Sequence, residues 1–437
     1  MLPLLLRPAR ACGPLLAAAL LTSACYKDPS PSPAPPLTFS PAAGAANTLL
    51  TITGQGFSPT PAQDSVTLNG VPAYVQHATA NELIVRVPAG AETGPVRVHV
   101  AGQAAQTSTA SFRYLYSATL RTLVEPGRLL RPRGLALDGQ GNLLIADNML
   151  LWKLTPAGDL IRMAGSGAFG LVDGPALSAQ FGRLSGVAVD AHGTVYLADI
   201  TNHCVRLLTA DGQSVRTLAG SGTAGWVDGV GVAAQFNSPE GIAINAQNEV
   251  LVADRGNACL RLVTPRGQVL TLAGAPGGSF VDGVITRAQF GAPVSVALDG
   301  QGRIYVSDPD TKRLRCVDRT QQRVYTVAGT DQCGGDDGPG PTATLDDPAG
   351  VCVDAKGRIC LIESNPNRIR LIAADGYVQT LVGFGIGCPS QEVAGALVDG
   401  RGEQARVYHP YGVASGGPGV VYLADEYNRT VRRLDFY

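Results

Sequence analysis

A six-fold repeat covers most of this chain. Each copy has two predicted strands in succession. The first starts with a small residue and has alternating apolar positions, and the second ends in a carboxylic acid. The first elements start at Gly134, Gly186, Gly241, Ser295, Gly350 and Gly412. The acids are Asp147, Asp199, Asp254, Asp308, Glu363 and Asp425, at intervals of 52, 55, 54, 55 and 62 residues. A period of this length in short strands predicts an all-β propeller with one blade per copy.

The two ends of the repeat region complement each other. Four strands are predicted per copy, but the last copy reaches Tyr437 without an outer strand. A matching strand, Ala118-Thr-Leu-Arg-Thr-Leu-Val124, precedes the first copy. We expect this N-terminal strand to complete the sixth blade and close the ring, because closure removes exposed sheet edges.

Composition narrows the classes of partner. The 437 residues are 45% hydrophobic and 16% charged, which is typical of a globular protein. The formal net charge is -1. A chain with balanced charge and no basic stripe lacks the electrostatic basis for nucleic-acid binding, so no nucleic-acid partner is expected.

Residues 1–24 have the pattern of a targeting segment. Arg7 and Arg10 precede an apolar run that ends Leu21-Thr-Ser-Ala-Cys25. Small residues before a cysteine resemble the lipobox of a bacterial lipoprotein signal peptide. The resemblance implies a lipid anchor on Cys25 and a place in the cell envelope, at the outer membrane. Cleavage near Ala24, which would release a soluble secreted protein, is the alternative.

The segment after the cysteine is predicted to hold the folded part away from the membrane. Residues 25–36 are rich in proline and serine, and such a composition forms an extended tether. Its start, Tyr26-Lys-Asp28, resembles the surface-export signal of lipoproteins in Bacteroidetes-type bacteria. No later apolar run is long enough to span a bilayer, so the lipid is the expected membrane contact.

Seven cysteines follow Cys25, and their positions leave several pairings open. The candidates are Cys352 with Cys360 across a hairpin turn, Cys333 with Cys388 in equivalent long loops, and Cys204 with Cys259 at equivalent blade positions. The alternative for each is a small buried thiol, since connectivity cannot be read from sequence. The spacing does not indicate a metal site, and no metal or other cofactor is expected.

Residues 37–116 are predicted to form a separate small β domain. Short strand signals alternate with turn residues such as Asn69-Gly70. The opening Ser40-Pro41, the Ile52-Thr-Gly-Gln-Gly-Phe57 run and the closing Phe112-Arg-Tyr114 resemble the IPT/TIG family of immunoglobulin-like domains. That resemblance implies a sandwich that serves as a spacer or docking module.

Residues 117–437 resemble NHL repeats. The resemblance rests on the Pro-x-Gly element of the inner strand, on the repeated acid and on an arginine seven residues after the acid. The pairs are Asp199/Arg206, Asp254/Arg261, Asp308/Arg315, Glu363/Arg370 and Asp425/Arg432. Six such repeats imply a six-bladed propeller. We interpret the repeated acid and arginine as structural, because a binding site is used once whereas these residues recur around the ring.

The positions that break the repeat are the better candidates for function. Residues that flank the proline of each inner strand should line the mouth of the central channel. The candidate ligand-binding residues are Arg131, Arg133, Arg183, Glu240, Asp347, His409 and Tyr411. Arginine forks, carboxylates and an aromatic ring suit a polar or anionic ligand. A solvated rim with internal salt bridges is the alternative.

The chain contains no motif of a known catalytic centre, and no catalytic residue is assigned. The strands nearest the axis were expected to present Ala136, Ala188, Ala243, Ala297, Cys352 and Ala414 to the channel, where they cannot hold an ion. We therefore predict a non-enzymatic envelope protein that binds a glycan or a protein partner through its loop face and channel mouth. A propeller lyase or hydrolase and a purely structural scaffold are the alternatives. An acid beside His409 would favour the enzyme, and exposed rings of Trp226 or Phe280 would favour a glycan.

Overall fold

The computed structural model describes residues 36–383 and 395–437. The predicted leader, the lipidation of Cys25 and most of the tether lie outside these residues, as does Cys388. Nine strands form the N-terminal part: β1 (Thr38–Ser40), β2 (Ala43–Gly44), β3 (Leu49–Thr53), β4 (Asp64–Leu68), β5 (Val71–Ala73), β6 (Val75–Ala78), β7 (Glu82–Arg86), β8 (Gly94–Val100) and β9 (Gln106–Tyr114). They make two sheets, β1-β3-β7-β6 and β2-β9-β8-β4-β5.

The two sheets pack as a sandwich because their strands alternate between buried and exposed residues. Strand β8 shows the pattern over its whole length, with Val96, Val98 and Val100 buried and the residues between them exposed. Side chains that alternate in this way put one face of a strand into the core. Phe112 and Ile52 are fully buried between the sheets, as an immunoglobulin-like sandwich requires.

The remaining strands form six sheets arranged as blades around an axis. Blade 1 comprises β11 (Pro132–Leu137), β12 (Leu143–Asp147), β13 (Leu150–Leu154) and β14 (Leu160–Ala164). Blade 2 comprises β15 (Gly174–Pro175), β16 (Leu184–Val189), β17 (Val195–Asp199), β18 (Cys204–Leu208) and β19 (Ser214–Ala219). Blade 3 comprises β20 (Gly229–Val230), β21 (Pro239–Ile244), β22 (Val250–Asp254), β23 (Cys259–Val263) and β24 (Gln268–Gly274).

The second half of the ring repeats this plan. Blade 4 comprises β25 (Gly283–Val284), β26 (Ser295–Leu298), β27 (Ile304–Asp308), β28 (Arg313–Asp318) and β29 (Arg323–Ala328). Blade 5 comprises β30 (Gly338–Pro339), β31 (Pro348–Val353), β32 (Ile359–Glu363), β33 (Arg368–Ile372) and β34 (Tyr377–Val382). Blade 6 comprises β35 (Gly400–Arg401), β36 (Pro410–Ser415), β37 (Val420–Asp425), β38 (Thr430–Phe436) and β10 (Ala118–Thr122). Single 3-10 turns occupy Pro61–Gln63, Gly231–Ala233, Arg255–Asn257 and Pro309–Thr311.

Strand β10 closes the ring, which confirms the predicted all-β fold and its N-terminal closing strand. It runs antiparallel to β38, with Ala118 opposite Phe436 and Thr122 opposite Arg432. The backbones of Ser117 and Tyr437 extend the pairing, because each amide donates to the other residue's carbonyl at 3.0 Å. The sixth sheet therefore combines strands from both ends of the repeat region.

The glycine that opens most copies is explained by close packing of the inner strands. A Cβ atom on Gly134 would lie 1.9 Å from the carbonyl oxygen of Ser185 in the next blade, and one on Gly412 would lie 1.7 Å from that of Arg133. Real Cβ atoms do not approach backbone this closely, so each neighbouring blade requires a residue without a side chain. The glycines have ordinary backbone angles, and close approach is what selects them.

The prediction for the channel lining was wrong by one position. The cavity on the axis is lined by the glycines and by the branched residue after each, such as Val187, Ile242 and Val413. Ala188 and Ala297 instead pack into the cores between blades. Val187 also packs towards blade 1, whereas Ala188 packs towards blade 3, because successive residues of a strand point to opposite faces of the sheet.

The repeated arginine fastens the loop between blades. Arg261 is fully buried and donates to the carbonyl oxygens of Gln235 and Val227 at 2.9 and 3.0 Å. The same guanidinium contacts the carboxylates of Asp254 at 2.8 Å and Asp228 at 2.7 Å. Blades 2, 4, 5 and 6 repeat this set of contacts. The arrangement supports the structural interpretation of the repeated acid and arginine.

Blade 1 departs from the repeat for a physical reason. Its carboxylate, Asp147, accepts the indole N–H of Trp152 at 3.2 Å instead of an arginine. The chain enters this blade from β10, and no two-residue outer strand like β15 or β20 joins its sheet in the described residues. Without an incoming loop of that kind, the extra donors of an arginine have no carbonyls to bind.

The sandwich contacts blades 5 and 6 through a mixed interface. The amide of Tyr116 donates to the Gln379 side chain at 2.9 Å, and the Gln379 amide group donates back to the Tyr116 carbonyl at 2.8 Å. Lys356 and Glu92 form an ion pair at 2.5 Å. One apolar cluster runs continuously from the sandwich to the blades.

The cysteines divide into two groups. Cys204, Cys259, Cys316, Cys352 and Cys360 are free and buried, so the pairing of Cys204 with Cys259 was wrong. Cys352 and Cys360 lie opposite each other on adjacent strands, as their spacing predicted, but they are not bonded. Cys333 is disulfide-bonded. Within the described ranges, no helix is long and apolar enough to cross a membrane.

Candidate functional site

Three residues predicted from the repeat meet at the channel mouth. Arg133, Glu240 and Tyr411 follow the first proline of β11, β21 and β36, and all three are buried. The Tyr411 hydroxyl donates to Glu240, and Arg133 Nη1 lies 3.1 Å from Glu240 Oε1. The Arg133 guanidinium also stacks 3.7 Å above the Tyr411 ring. Burial and the adjacent Glu240 carboxylate raise the pKa of Tyr411 well above its usual value, so the phenol keeps its proton.

A second buried carboxylate, Glu426, joins this group from the loop after β37. It binds Arg131 Nε, and it lies 3.4 Å from Arg133 Nε and 3.0 Å from His409 Nδ1. Burial alone would raise the pKa of Glu426, but His409 and the two arginines outweigh burial and lower the pKa overall. Glu426 is therefore ionised at neutral pH. We call Arg131, Arg133, Glu240, His409, Tyr411 and Glu426 the mouth network.

Aromatic rings border the mouth network on one side. The rings of His409 and Tyr427 stack with centroids 4.3 Å apart and an interplanar angle of 9°. The Tyr411 ring is also nearly parallel to the His409 ring, with centroids 6.2 Å apart and an interplanar angle of 14°. This stack holds the imidazole in a fixed plane against Glu426.

Two further arginines extend the positive charge away from the axis. Arg255 Nη1 binds Glu240 Oε2 at 3.0 Å, and the Arg255 side chain is 44% exposed. Arg183 has no acidic partner among the described residues, and its buried Nε has no hydrogen-bond partner. Burial and the positive charge of Arg133 lower the pKa of Arg183.

Asp347 lies near the same mouth but is held in another way. Its carboxylate accepts the amide of Asn365 at 3.2 Å. Burial raises the pKa of Asp347, whereas the charges of His409 and Arg255 act in the opposite direction. Asp347 therefore takes up a proton at a higher pH than an ordinary aspartate does.

A pocket opens beside the axis, and the channel itself is narrow. The cavity on the axis has a volume of about 60 Å³, which is room for a few water molecules. The neighbouring pocket has a volume of about 580 Å³ and is bounded by Arg183, Glu240, Arg255 and Asp310. Its other walls include the backbone of several glycines. We call this cavity the side pocket; its volume is in the range of small-molecule sites.

The structure brings the predicted site residues together only in part. Arg131, Arg133, Glu240, His409 and Tyr411 belong to one network, whereas Arg183 lines the side pocket. Asp347 interacts with this group through charge. Their role in ligand binding stays a prediction.

Sequence reasoning missed Arg255 and Glu426. Both follow the repeated acid by one residue, at the position that Asn148, Ile200, Pro309 and Ser364 occupy in the other blades. This position varies as strongly as the positions beside the proline. A search for variable sites after the acid would have found both residues.

The two sequence criteria for function point in different directions. Glu426 is an acid beside His409, which is the feature expected to favour an enzyme. Phe280 is not a free platform, because the Arg313 guanidinium lies 3.9 Å above its ring. Trp226 is 46% exposed and donates to Thr271 at 3.2 Å. No cluster of three or more His, Cys, Asp or Glu suited to a metal occurs within residues 36–383 and 395–437.

Comparison with protein families assigns both parts of the chain. Residues 37–116 match the IPT/TIG domain. Residues 236–261, which lie in blade 3, match the NHL repeat. The chain carries an IPT/TIG domain followed by an NHL-repeat propeller. The match in blade 3 includes Asp254 and Arg261, two residues of the fastening contacts described above.

Similar proteins cover a larger part of the chain than these two family matches. The Arabidopsis thaliana protein SUPPRESSOR OF QUENCHING 1, chloroplastic, is 27% identical over 301 residues, which are 63% of this chain and 27% of that protein. The chain thus spans about a quarter of that relative's length. A solved structure from Bacteroides thetaiotaomicron, a protein of unknown function, covers 93% of this chain and 99% of its own, with 16% identity and a TM-score of 0.56.

A second solved structure shares the whole domain arrangement. It is an auxiliary nutrient binding protein from Bacteroides thetaiotaomicron that is 15% identical and covers 92% of this chain and 98% of its own, with a TM-score of 0.53. At this level of identity, the likeness establishes the fold of the IPT/TIG domain and NHL propeller.

Proposed function

We propose that this protein is a non-enzymatic binding protein of the cell envelope whose NHL propeller takes up a polar ligand at the channel mouth. The observation that carries the proposal is the mouth network, a set of paired and largely buried charges whose member Glu240 also lines the 580 Å³ side pocket. Buried pairs hold their side chains in fixed positions, so a ligand would meet donors and acceptors that are already oriented.

The likeness to an auxiliary nutrient binding protein supports a binding role and an envelope location. The ligand classes that we consider are a glycan and an envelope protein. The side pocket favours a small polar molecule or one unit of a glycan, because its walls are polar and concave. Anchoring through Cys25 is part of the proposal, and mass spectrometry of the protein purified from membranes would detect the lipid.

A thermal-shift screen tests the binding role. The panel holds oligosaccharides, peptides and divalent metals, and the double variant Arg131→Ala/His409→Ala disrupts the mouth. The matched control is Arg216→Ala/His192→Ala, which removes the same residue types from exposed positions of blade 2, one on its outer strand and one in the turn after its innermost strand. A ligand that stabilises the wild type and the control, but not the mouth variant, supports the proposal.

The screen also has a contrary result. If no compound stabilises the wild-type protein, the small-ligand function is wrong, and cross-linking on cells becomes the search for a protein partner. A ligand that stabilises the mouth variant as well as the wild type would place binding elsewhere on the surface.

An enzyme is the second candidate, because Glu426 and His409 form a carboxylate–imidazole pair. A carboxylate that accepts the Nδ1 proton leaves Nε2 free to accept one, as a general base does. Incubation of each stabilising ligand with wild type and with His409→Asn, followed by mass spectrometry, tests this function. Turnover that disappears in the variant while binding remains would favour the enzyme; an unchanged ligand mass in wild type would exclude it for that ligand.

A further inference from the structure

We infer that the side pocket binds the carboxylate of an acidic sugar, with Arg183 and Arg255 as the cationic groups. This inference rests on the proposed binding function and adds the chemical class of the ligand. It is carried by a cation without a partner, a second cation with free donors, and a lining that accepts hydroxyl groups.

Arg183 is the unpaired cation of the side pocket. The other three arginines at the mouth, Arg131, Arg133 and Arg255, each contact a buried carboxylate, whereas Arg183 contacts none among the described residues. Its Nε is buried without a hydrogen-bond partner. A buried donor without an acceptor is costly, and an incoming anion would satisfy it.

Arg255 provides a second cationic donor in the lining of the side pocket. One of its terminal nitrogens binds Glu240, and 44% of the side chain is exposed at the pocket. An arginine carries five N–H donors in a rigid fork, so the pair with Glu240 leaves donors for a ligand. Glu240 also fixes the position of the Arg255 guanidinium, which reduces the entropy lost on binding.

The charge of the pocket favours one carboxylate over a phosphate group. Glu240 and Asp310 line the same cavity as Arg183 and Arg255, so the four side chains sum to no net charge. Since Glu240 is already paired with Arg133 and Arg255, Arg183 and Asp310 are the two charges of the lining that form no ion pair among the described residues. One carboxylate can bind Arg183, whereas a dianionic phosphate would bring a second negative charge close to Asp310 and Glu240.

The lining favours a sugar over a peptide. Asp310 and the backbone of Gly277, Gly278 and Gly291 offer acceptors and donors to hydroxyl groups, and a side chain is missing at the glycines. The apolar side chains of the lining are small or few, with Ile200 the largest. A peptide needs an apolar recess for its side chains, whereas a hexuronate presents a carboxylate and several hydroxyls within one ring.

Calorimetry with two sugars that differ only at C6 tests the inference. D-Galacturonate carries the carboxylate, and D-galactose carries a hydroxymethyl group in its place. We expect galacturonate to bind wild type and to bind Arg183→Ala about ten- to a hundred-fold more weakly, because a charge-assisted hydrogen bond is lost. Arg183→Gln, which keeps a polar side chain of intermediate length but removes the charge, guards against a folding defect and should weaken binding similarly. Arg216→Ala, the exposed control, should bind as wild type does.

Three results would overturn the inference. Equal affinity for galacturonate and galactose, unaffected by Arg183→Ala, would show that the pocket does not recognise a carboxylate. The proposed binding function would still stand if either sugar failed to bind the mouth variant. The second result is that the protein binds glycylglycine, but neither glycylglycine amide nor galacturonate, and loses that binding in Arg183→Ala. This result would support recognition of a carboxylate but show that the ligand is a peptide and not a sugar. If no compound of the earlier screen binds the mouth, the proposed function itself fails, and this inference fails with it.

Discussion

The substitution Arg261→Leu tests whether the repeated arginine holds the propeller together. It removes four contacts of a side chain with no exposed surface: two to carbonyl oxygens and two to the carboxylates of Asp254 and Asp228. Asp254 is also fully buried and would keep its charge without a counter-ion. Breaking a buried pair from one side costs about 3–5 kcal/mol. For a ring of this size, we expect the thermal midpoint of the propeller to fall by roughly 6–10 °C.

Two comparisons separate the buried charge from other causes. Arg216→Leu changes an exposed arginine of the outer strand and should alter stability by less than about 0.5 kcal/mol. Burial already raises the pKa of Asp254, and loss of Arg261 would raise it further. The folded variant then binds a proton more readily than the unfolded chain, so its deficit should shrink as the pH falls through the raised pKa of Asp254 in the folded state.

The measurement is differential scanning calorimetry of wild type, both variants and the double variant Arg261→Leu/Asp254→Asn. The double variant lacks the buried charge and should recover part of the loss. A change below about 1 kcal/mol in Arg261→Leu, or a deficit that does not depend on pH, would refute the argument. In the first case the loop contacts are dispensable, and the arginine would need another explanation.

Three further predictions concern closure, packing and pH. Gly134→Ala should destabilise the ring severely, because the new Cβ would lie 1.9 Å from the Ser185 carbonyl oxygen. Gly139→Ala is the control, because no atom lies within 4 Å of its new Cβ, and thermal unfolding compares the two variants. Thr119→Pro removes a backbone donor that faces β38 across the ring closure, and it should lower the cooperativity and midpoint of propeller unfolding if β10 closes the ring. Because the pKa of Glu426 is lowered in the folded state, this carboxylate stabilises the fold above pH 4.5, and the stabilisation is lost as the pH falls through the folded pKa. Glu426→Gln should flatten that part of the curve of unfolding free energy against pH. A curve that the substitution leaves unchanged would contradict the prediction.

The sequence was sufficient for the fold because the evidence for it is local and repeated. Six copies with a nearly constant period predict six blades, and a copy without its outer strand predicts a partner strand elsewhere. The role of Gly134 was not predictable in the same way. It depends on the distance between two inner strands, and that distance is set only when all six blades are assembled.

The candidate site was predicted in part for a similar reason. The residues beside the proline were found because that position varies between copies, and Arg133, Glu240 and Tyr411 do meet. Their contacts join residues that are 107 and 171 positions apart, and no local pattern gives such a partner. The covering of Phe280 by Arg313 likewise depends on a loop that folds back onto its own blade.

The close contact between inner strands has a consequence for recognition. Because glycine brings backbone against backbone around the axis, the blades cannot move inward, and side chains cannot relax to let them tilt. A ligand at the mouth therefore meets a frame that is already in its bound shape. Little conformational entropy is lost on association, so we expect rates close to those of rigid docking and similar backbone positions with and without ligand.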